Sequence, residues 1–205
     1  MSAAAPGQIS RGDRAALWFF IVAGGVIVIA SAVFATRRII ELARGGAVDV
    51  PVEFIDQQVT APLGAGGADV TIALDRAVLH TEIPAASTVA GILAQIILFA
   101  TFAVVITCLI LLTRRLTTGK IFGRTSTRLV SLAGMTGLLG AAATRFFENM
   151  VANGAIAHVS DHEYSGNAIL SISLFPFIVA AFAVAVICSV FVVGDRLQRE
   201  TEGLV

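Results

Sequence analysis

Charge is scarce in this chain. Lys, Arg, Asp and Glu make up 14% of its 205 residues, where a typical soluble domain has about 25%. Apolar residues make up 57%, and mean hydropathy is +0.88. A soluble domain of this composition could not cover its surface with polar groups, which excludes that class. Cysteine is scarce as well: Cys108 and Cys188 are the two, both inside long apolar runs. A disulfide framework would put cysteines in polar, loop-rich sequence. These two read as small apolar helix residues and do not report a redox compartment. Recognisable chemistry is also missing. The chain has no HExxH pair, nucleophile elbow or Walker A loop. No enzyme activity is expected, and no catalytic or cofactor-binding residue is assigned.

What the chain does have is four long uncharged stretches. A helix rises about 1.5 Å per residue, so crossing a core of about 30 Å takes about 20 residues. The stretch between Arg14 and Arg37 has 22 uncharged residues, with Trp18 and Phe19 near its start, where interfacial aromatics are common. A signal peptide is the competing reading, with a cleavage-like Ala-Ser-Ala at 30–32. The apolar run exceeds the usual 7–15 residues of a signal core, which favours an uncleaved anchor. The stretches between Glu82 and Arg114 and between Glu163 and Asp195 have 31 uncharged residues each. Gln95 is the one amide in the core of the former. Pro176 lies near the start of the latter, where a kink is tolerated. The stretch between Arg128 and Arg145 has only 16. It completes a span if Arg145 snorkels outward and Phe146 and Phe147 extend the apolar run. Glu148, three positions on, can then pair with Arg145 on the same helix face. No Asp, Glu, Lys, Arg or His lies in the cores of the four spans, with Arg145 at an edge. Such groups mark proton relays, ion paths and catalytic dyads, so an ion-coupled transporter and an intramembrane protease are disfavoured.

The fold expected is an integral membrane, mainly α protein. Four transmembrane helices cover 15–36, 87–113, 129–147 and 169–193. Segments 1–14, 114–128 and 194–205 share one side of the membrane, and segments 37–86 and 148–168 share the other. Lys and Arg number nine on the first side and five on the second, counting Arg145 at the outer edge of the third span, which places both termini in the cytoplasm. Arg37 and Arg38 oppose that assignment.

The segment 37–86 has strand character. Residues 48–54 alternate apolar and polar, with Pro51 on the polar phase, which suggests an edge strand. Further alternations run over 70–74 and 77–83, and Gly64, Gly66 and Gly67 supply a turn. A small extracytoplasmic antiparallel β segment between helices 1 and 2 is expected. It is too small to bury its own core, so it should pack on helix ends or a partner.

Three further features stand out. His158 and His162 are spaced i, i+4 beside Asp161 and Glu163. On a helix that spacing can share a metal, and a solvated polar loop is the plainer reading. Gly134, Gly137 and Gly140 lie within the third span, where small residues let helices approach closely. The connection 114–128 carries Arg114, Arg115, Lys120, Arg124 and Arg128 with no acid. Its plainest roles are setting topology and meeting anionic lipid. Docking of a protein is the second reading, and direct nucleic-acid binding is not expected.

Two segments carry a family resemblance: TTGKIFGRTSTRLVSLAGMTGLL over 117–139 and VFVVGDRLQRETEGLV over 190–205. With four spans and a β-rich segment after the first, they resemble the bacterial membrane proteins grouped as domain-of-unknown-function family 2975. Gly119, Lys120 and Phe122 match that family's second connection. Phe191, Gly194, Leu197, Gln198, Glu200 and the terminal Leu204-Val205 match its C-terminal pattern. The likeness covers about 15–205. The family has no established biochemical activity. Many members are encoded beside a small helix-turn-helix regulator of the Cro-repressor type, and the resemblance implies that the membrane protein controls it. On that basis the expected function is a sensor or regulatory partner of such a regulator. Arg114, Arg115, Lys120, Phe122, Arg124, Arg128, Leu197 and Glu200 are the expected docking residues. A scaffold subunit of a transport or export complex and a small transporter of apolar molecules are the alternatives. Lipid, a DNA-binding regulator and further copies of the chain are the partners to consider.

Overall fold

Uninterrupted apolar residues without internal stop signals favour helix, and the chain is mainly helical. The computed structural model describes residues 11–117, 123–161 and 174–202. Among these, the order is α1 (Arg11–Arg44), β1 (Val48–Ala61), β2 (Val70–Thr81), α2 (Ala85–Thr117), α3 (Arg124–Val159) and α4 (Leu174–Glu202). All four helices are long and apolar enough to cross a membrane.

The helices outrun the expected spans. At 1.5 Å per residue, the 34 residues of α1 extend about 51 Å and the 36 of α3 about 54 Å. Arg37, Arg38 and Arg44 therefore stand on α1, where the sequence reading begins a loop at residue 37. Likewise α3 continues past Phe147 to Val159, where a loop is expected from residue 148. A charged residue ends an apolar run without ending a helix. The stop for α1 comes at Gly45 and Gly46, with φ of 71° and 94°. The Gly45 N–H donates to the Leu42 carbonyl at 3.4 Å. Glycine takes the left-handed conformation of a helix C-cap without the penalty a Cβ brings. Pro176 lies in the first turn of the described α4, where its missing N–H costs least.

The β segment is one antiparallel hairpin of two strands. The alternations at 70–74 and 77–83 are therefore largely one strand, β2, and β1 runs seven residues beyond Phe54. Pairing runs from Val48 opposite Thr81 to Ala61 opposite Val70. Between Glu53 and Gln57 the first strand advances four positions while its partner advances two, from Arg76 to Leu74. That bulge adds twist. With two strands, each is an edge, which accommodates Pro51. Gly66 and Gly67, with φ of 75° and 84°, form the turn.

The described chain forms two compact units. One comprises Met1–Phe34, Leu98–Ala141 and Ser173–Val205; the other comprises Ala35–Ile97 and Ala142–Ile172. In the first unit, helices approach at small residues. A methyl on Gly24 would come 3.0 Å from Ile106 Cγ2, and methyls on Gly134 and Gly140 would overlap Val184 and Thr101. The glycines of the third span therefore serve two neighbours, Gly134 facing α4 and Gly140 facing α2. The Ser131 hydroxyl reaches Cys188 Sγ at 3.4 Å. Both cysteines are free thiols within helices, as read from the sequence. Large apolar side chains face outward: Phe34 and Phe182 are 71% and 70% exposed. Hydrocarbon tolerates such a surface and water does not.

In the second unit, the near half of the hairpin rests on helix. Val48, Val50 and Val52, on one phase of β1, are buried together with Leu42 of α1, Ala90 of α2, and Val151, Ala152, Ala155 and Ile156 of α3. The α3 residues lie at i, i+1, i+4 and i+5, the stripe of an amphipathic helix.

Candidate functional site

The second unit contains a cavity of about 630 Å³, within the range of small-molecule sites. Helical spacing determines which side chains line it. Arg38 and Leu42 of α1 are i, i+4. Gly91, Ala94 and Gln95 of α2 are i, i+3, i+4. Arg145, Glu148 and Val151 of α3 are i, i+3, i+6. The strands add residues 50–53 of β1 and 76–78 of β2. Gly91 keeps the floor open: a methyl there would meet Leu42 Cδ1 at 2.9 Å.

The lining is apolar at its base and charged elsewhere. Val50, Val52 and Ala94 are each about 1% exposed, and Leu42 4%. The charged members are Arg38, Arg76, Arg145, Glu53 and Glu148, one positive charge in excess. Arg76 Nη2 donates to Glu53 Oε1 at 2.9 Å. Arg145 Nη1 donates to Glu148 Oε2 at 3.3 Å, the pairing expected from sequence. Arg38 Nη1 meets Glu41 at 2.8 Å, and its Nη2 donates to the Asp49 carbonyl at 2.6 Å. A guanidinium has five N–H donors, so each arginine keeps donors for a further acceptor. Pairs this exposed are held weakly. At the hairpin base, His80 Nδ1 and Asp49 Oδ1 lie 2.7 Å apart across the strands.

Arg38 thus ties α1 to β1 through one charge-assisted hydrogen bond. Arg38→Ala should cost about 1–2 kcal/mol of hairpin anchoring. The measurement is the rate of limited proteolysis between residues 61 and 70, expected to rise severalfold. An unchanged rate would show that the apolar contacts alone hold the hairpin.

The residues singled out from sequence lie elsewhere. His158 is exposed in the last turn of α3, and His162 lies outside the described residues. Sharing a metal at i, i+4 requires helix through both, whereas α3 ends at Val159 and Asp161 has φ of 49°. No group of three or more His, Cys, Asp or Glu that could hold a metal occurs among the described residues. Arg114 and Arg115 are near the end of α2, and Arg124 and Arg128 occupy the first turns of α3. Lys120 and Phe122 lie outside the described residues. Leu197 is exposed on α4, and Glu200 accepts from Arg196 Nε at 3.0 Å. These described docking residues belong to the first unit. Within it, a methyl on Gly123 would lie 4.0 Å from Asp195 Oδ1, so the start of α3 adjoins the final turns of α4.

Sequence reasoning missed the cavity. Arg38 was placed beyond the first span, Glu53 on the predicted strand over 48–54 and Arg76 between two alternations, and Gln95 was noted only as an amide in an apolar span. The available signals were the Arg145–Glu148 spacing and an amide where a helix otherwise carries none. Comparison with protein families, characterised proteins and solved structures returned no match, so the site is read from its own chemistry.

Proposed function

We propose that this chain is a four-span sensor of a bacterial cell membrane, with both termini in the cytoplasm and the hairpin outside. A ligand in the hairpin-side cavity would change helix packing and so control docking of a small cytoplasmic helix-turn-helix regulator. The observation that carries this reading is the cavity: apolar floor, three guanidinium groups, and a lining drawn from every element of its unit. A ligand there contacts α1, α2 and α3 at once, and each of these helices also contributes to the other unit. Control requires that the ligand bind one packing more tightly than the other. Orientation is supported by the nine-to-five split of basic residues. Resemblance to the domain-of-unknown-function family supplies the kind of partner. The docking surface is assigned to Arg114, Arg115, Arg124 and Arg128, with Leu197 and Glu200 of the tail.

The test is co-purification. Protein tagged at the C-terminus and extracted in mild detergent should bring down a small DNA-binding protein. Changing the four arginines to glutamate should reduce its recovery at least tenfold. Recovery of ATPase or permease subunits instead would overturn the reading in favour of a scaffold subunit.

A further inference from the structure

We propose that the cavity binds an anionic oxygen group, phosphate or carboxylate, that carries an apolar chain. This rests on the reading of the cavity as the signal-receiving site and adds the chemistry of its ligand. Two properties of the lining point the same way. Its charged part has Arg38, Arg76 and Arg145 against Glu53 and Glu148, with Glu41 paired to Arg38 just outside the lining, so it is the spare guanidinium N–H donors, not net charge, that favour an anion. Guanidinium forks are suited to planar carboxylate and tetrahedral phosphate oxygens. The Gln95 amide, partly buried on α2, adds a donor at the same cavity.

Its other part is hydrocarbon. Apolar atoms supply more of the lining than polar ones, and Leu42, Val50, Val52, Ala94 and Val151, packed behind it, offer no hydrogen-bonding side-chain atom, so the far end of the ligand must be apolar to gain from contact. A bare inorganic anion would leave this part unused. A neutral hydrocarbon would leave the guanidinium groups with only the glutamates they already hold. The two acids act as placeholders: Glu53 holds Arg76 at 2.9 Å and Glu148 holds Arg145 at 3.3 Å. An incoming anion competes with them for the same donors. The ligand's source is either a phospholipid of the surrounding bilayer or a free amphiphile such as a fatty acid.

The test uses the full chain in phosphatidylcholine nanodiscs, with radiolabelled dodecyl phosphate as probe. Dodecanol and inorganic phosphate are the comparators. Dodecyl phosphate should bind at least tenfold more tightly than either. Arg76→Gln combined with Arg145→Gln should weaken it about tenfold. Glu53→Gln, which removes a competitor, should tighten it severalfold. Opposite signs separate ligand recognition from general damage to the fold, which would weaken binding in both variants. Equal binding of dodecanol or of inorganic phosphate would overturn the proposal, as would weakening by Glu53→Gln. Phosphatidylglycerol added to the disc distinguishes the sources. Competition with the probe identifies bilayer lipid; probe binding unaffected by it identifies a free amphiphile, and both support the shared chemistry. No regulator is present, so failure here leaves the docking reading intact, and failed co-purification leaves this binding result intact.

Discussion

Gly140→Ala will lower the thermal unfolding temperature of the detergent-purified protein, and adding Thr101→Ala will not recover it. Gly154→Ala will also lower it, and there Ser87→Ala will recover most of the loss. The difference lies in which atom of the neighbour is struck. A methyl on Gly140 overlaps the Thr101 hydroxyl and also lies 2.8 Å from its Cβ, closer than carbon atoms approach, so alanine at 101 still clashes. A methyl on Gly154 overlaps the Ser87 hydroxyl but stands 3.1 Å from its Cβ, a gap that a small shift relieves. Ser87 is 5% exposed, so its hydroxyl has little room to turn away. Overpacking of this kind costs about 1–3 kcal/mol. Alanine's better helix propensity returns at most about 1 kcal/mol, so the clash wins. Circular dichroism melts of the four variants decide the matter. Rescue at Gly140 by Thr101→Ala would show that the two helices separate more readily than their contact implies.

Val50→Asp will release the hairpin from the helices while leaving the helical content intact. Val50 is 1% exposed and sits in the apolar cluster of α1, α2, α3 and β1. A carboxylate there would interrupt the apolar cluster, with Val48 and Val52 as its neighbours on that phase, and the arginines of the cavity that Val50 also lines each already hold a glutamate. Burying a charge in that apolar base costs several kcal/mol, about 3 or more by comparison with severe single substitutions. An isolated two-stranded hairpin is at best marginally stable in water, so losing its support should unfold it. The measurement is hydrogen exchange of the β1 and β2 amides, expected to lose protection by a hundredfold or more. Val78→Asp, on the paired strand but 65% exposed, should change exchange little. Persistent protection in Val50→Asp would mean that the strands are held by something other than this cluster.

Much of the architecture was legible from local sequence, because each feature rests on an unbranched chain of cause. Uncharged runs long enough to cross a membrane became α1 to α4. Alternation at 48–54 put Val48, Val50 and Val52 on one face of β1, and the structure buries that face. The glycine spacing in the third span was read as close packing, and Gly134 and Gly140 do pack closely. Helix ends were less legible. A charge looks like the end of a membrane run, whereas backbone geometry at Gly45, Gly46 and Asp161 is what ends α1 and α3. The sheet was read with a third strand because Asp75 and Arg76 interrupt the alternation; both lie within β2, and Arg76 faces Glu53.

By itself, the sequence determined the number of apolar helices, the strand character of the segment between the first two, and the uneven distribution of basic residues. Those follow from residue type and period, which say what surface an element presents. Period does not say what that surface meets. Only the tertiary structure decided that Gly134 serves α4 while Gly140 serves α2. It alone gathered Arg38, Glu53, Arg76, Gln95, Arg145 and Glu148, drawn from five elements, around one cavity. Their sequence separation, more than a hundred residues from Arg38 to Arg145, leaves no local pattern for such a site. Its chemistry comes into being when a strand face covers three helix faces and guanidinium donors are left beside hydrocarbon.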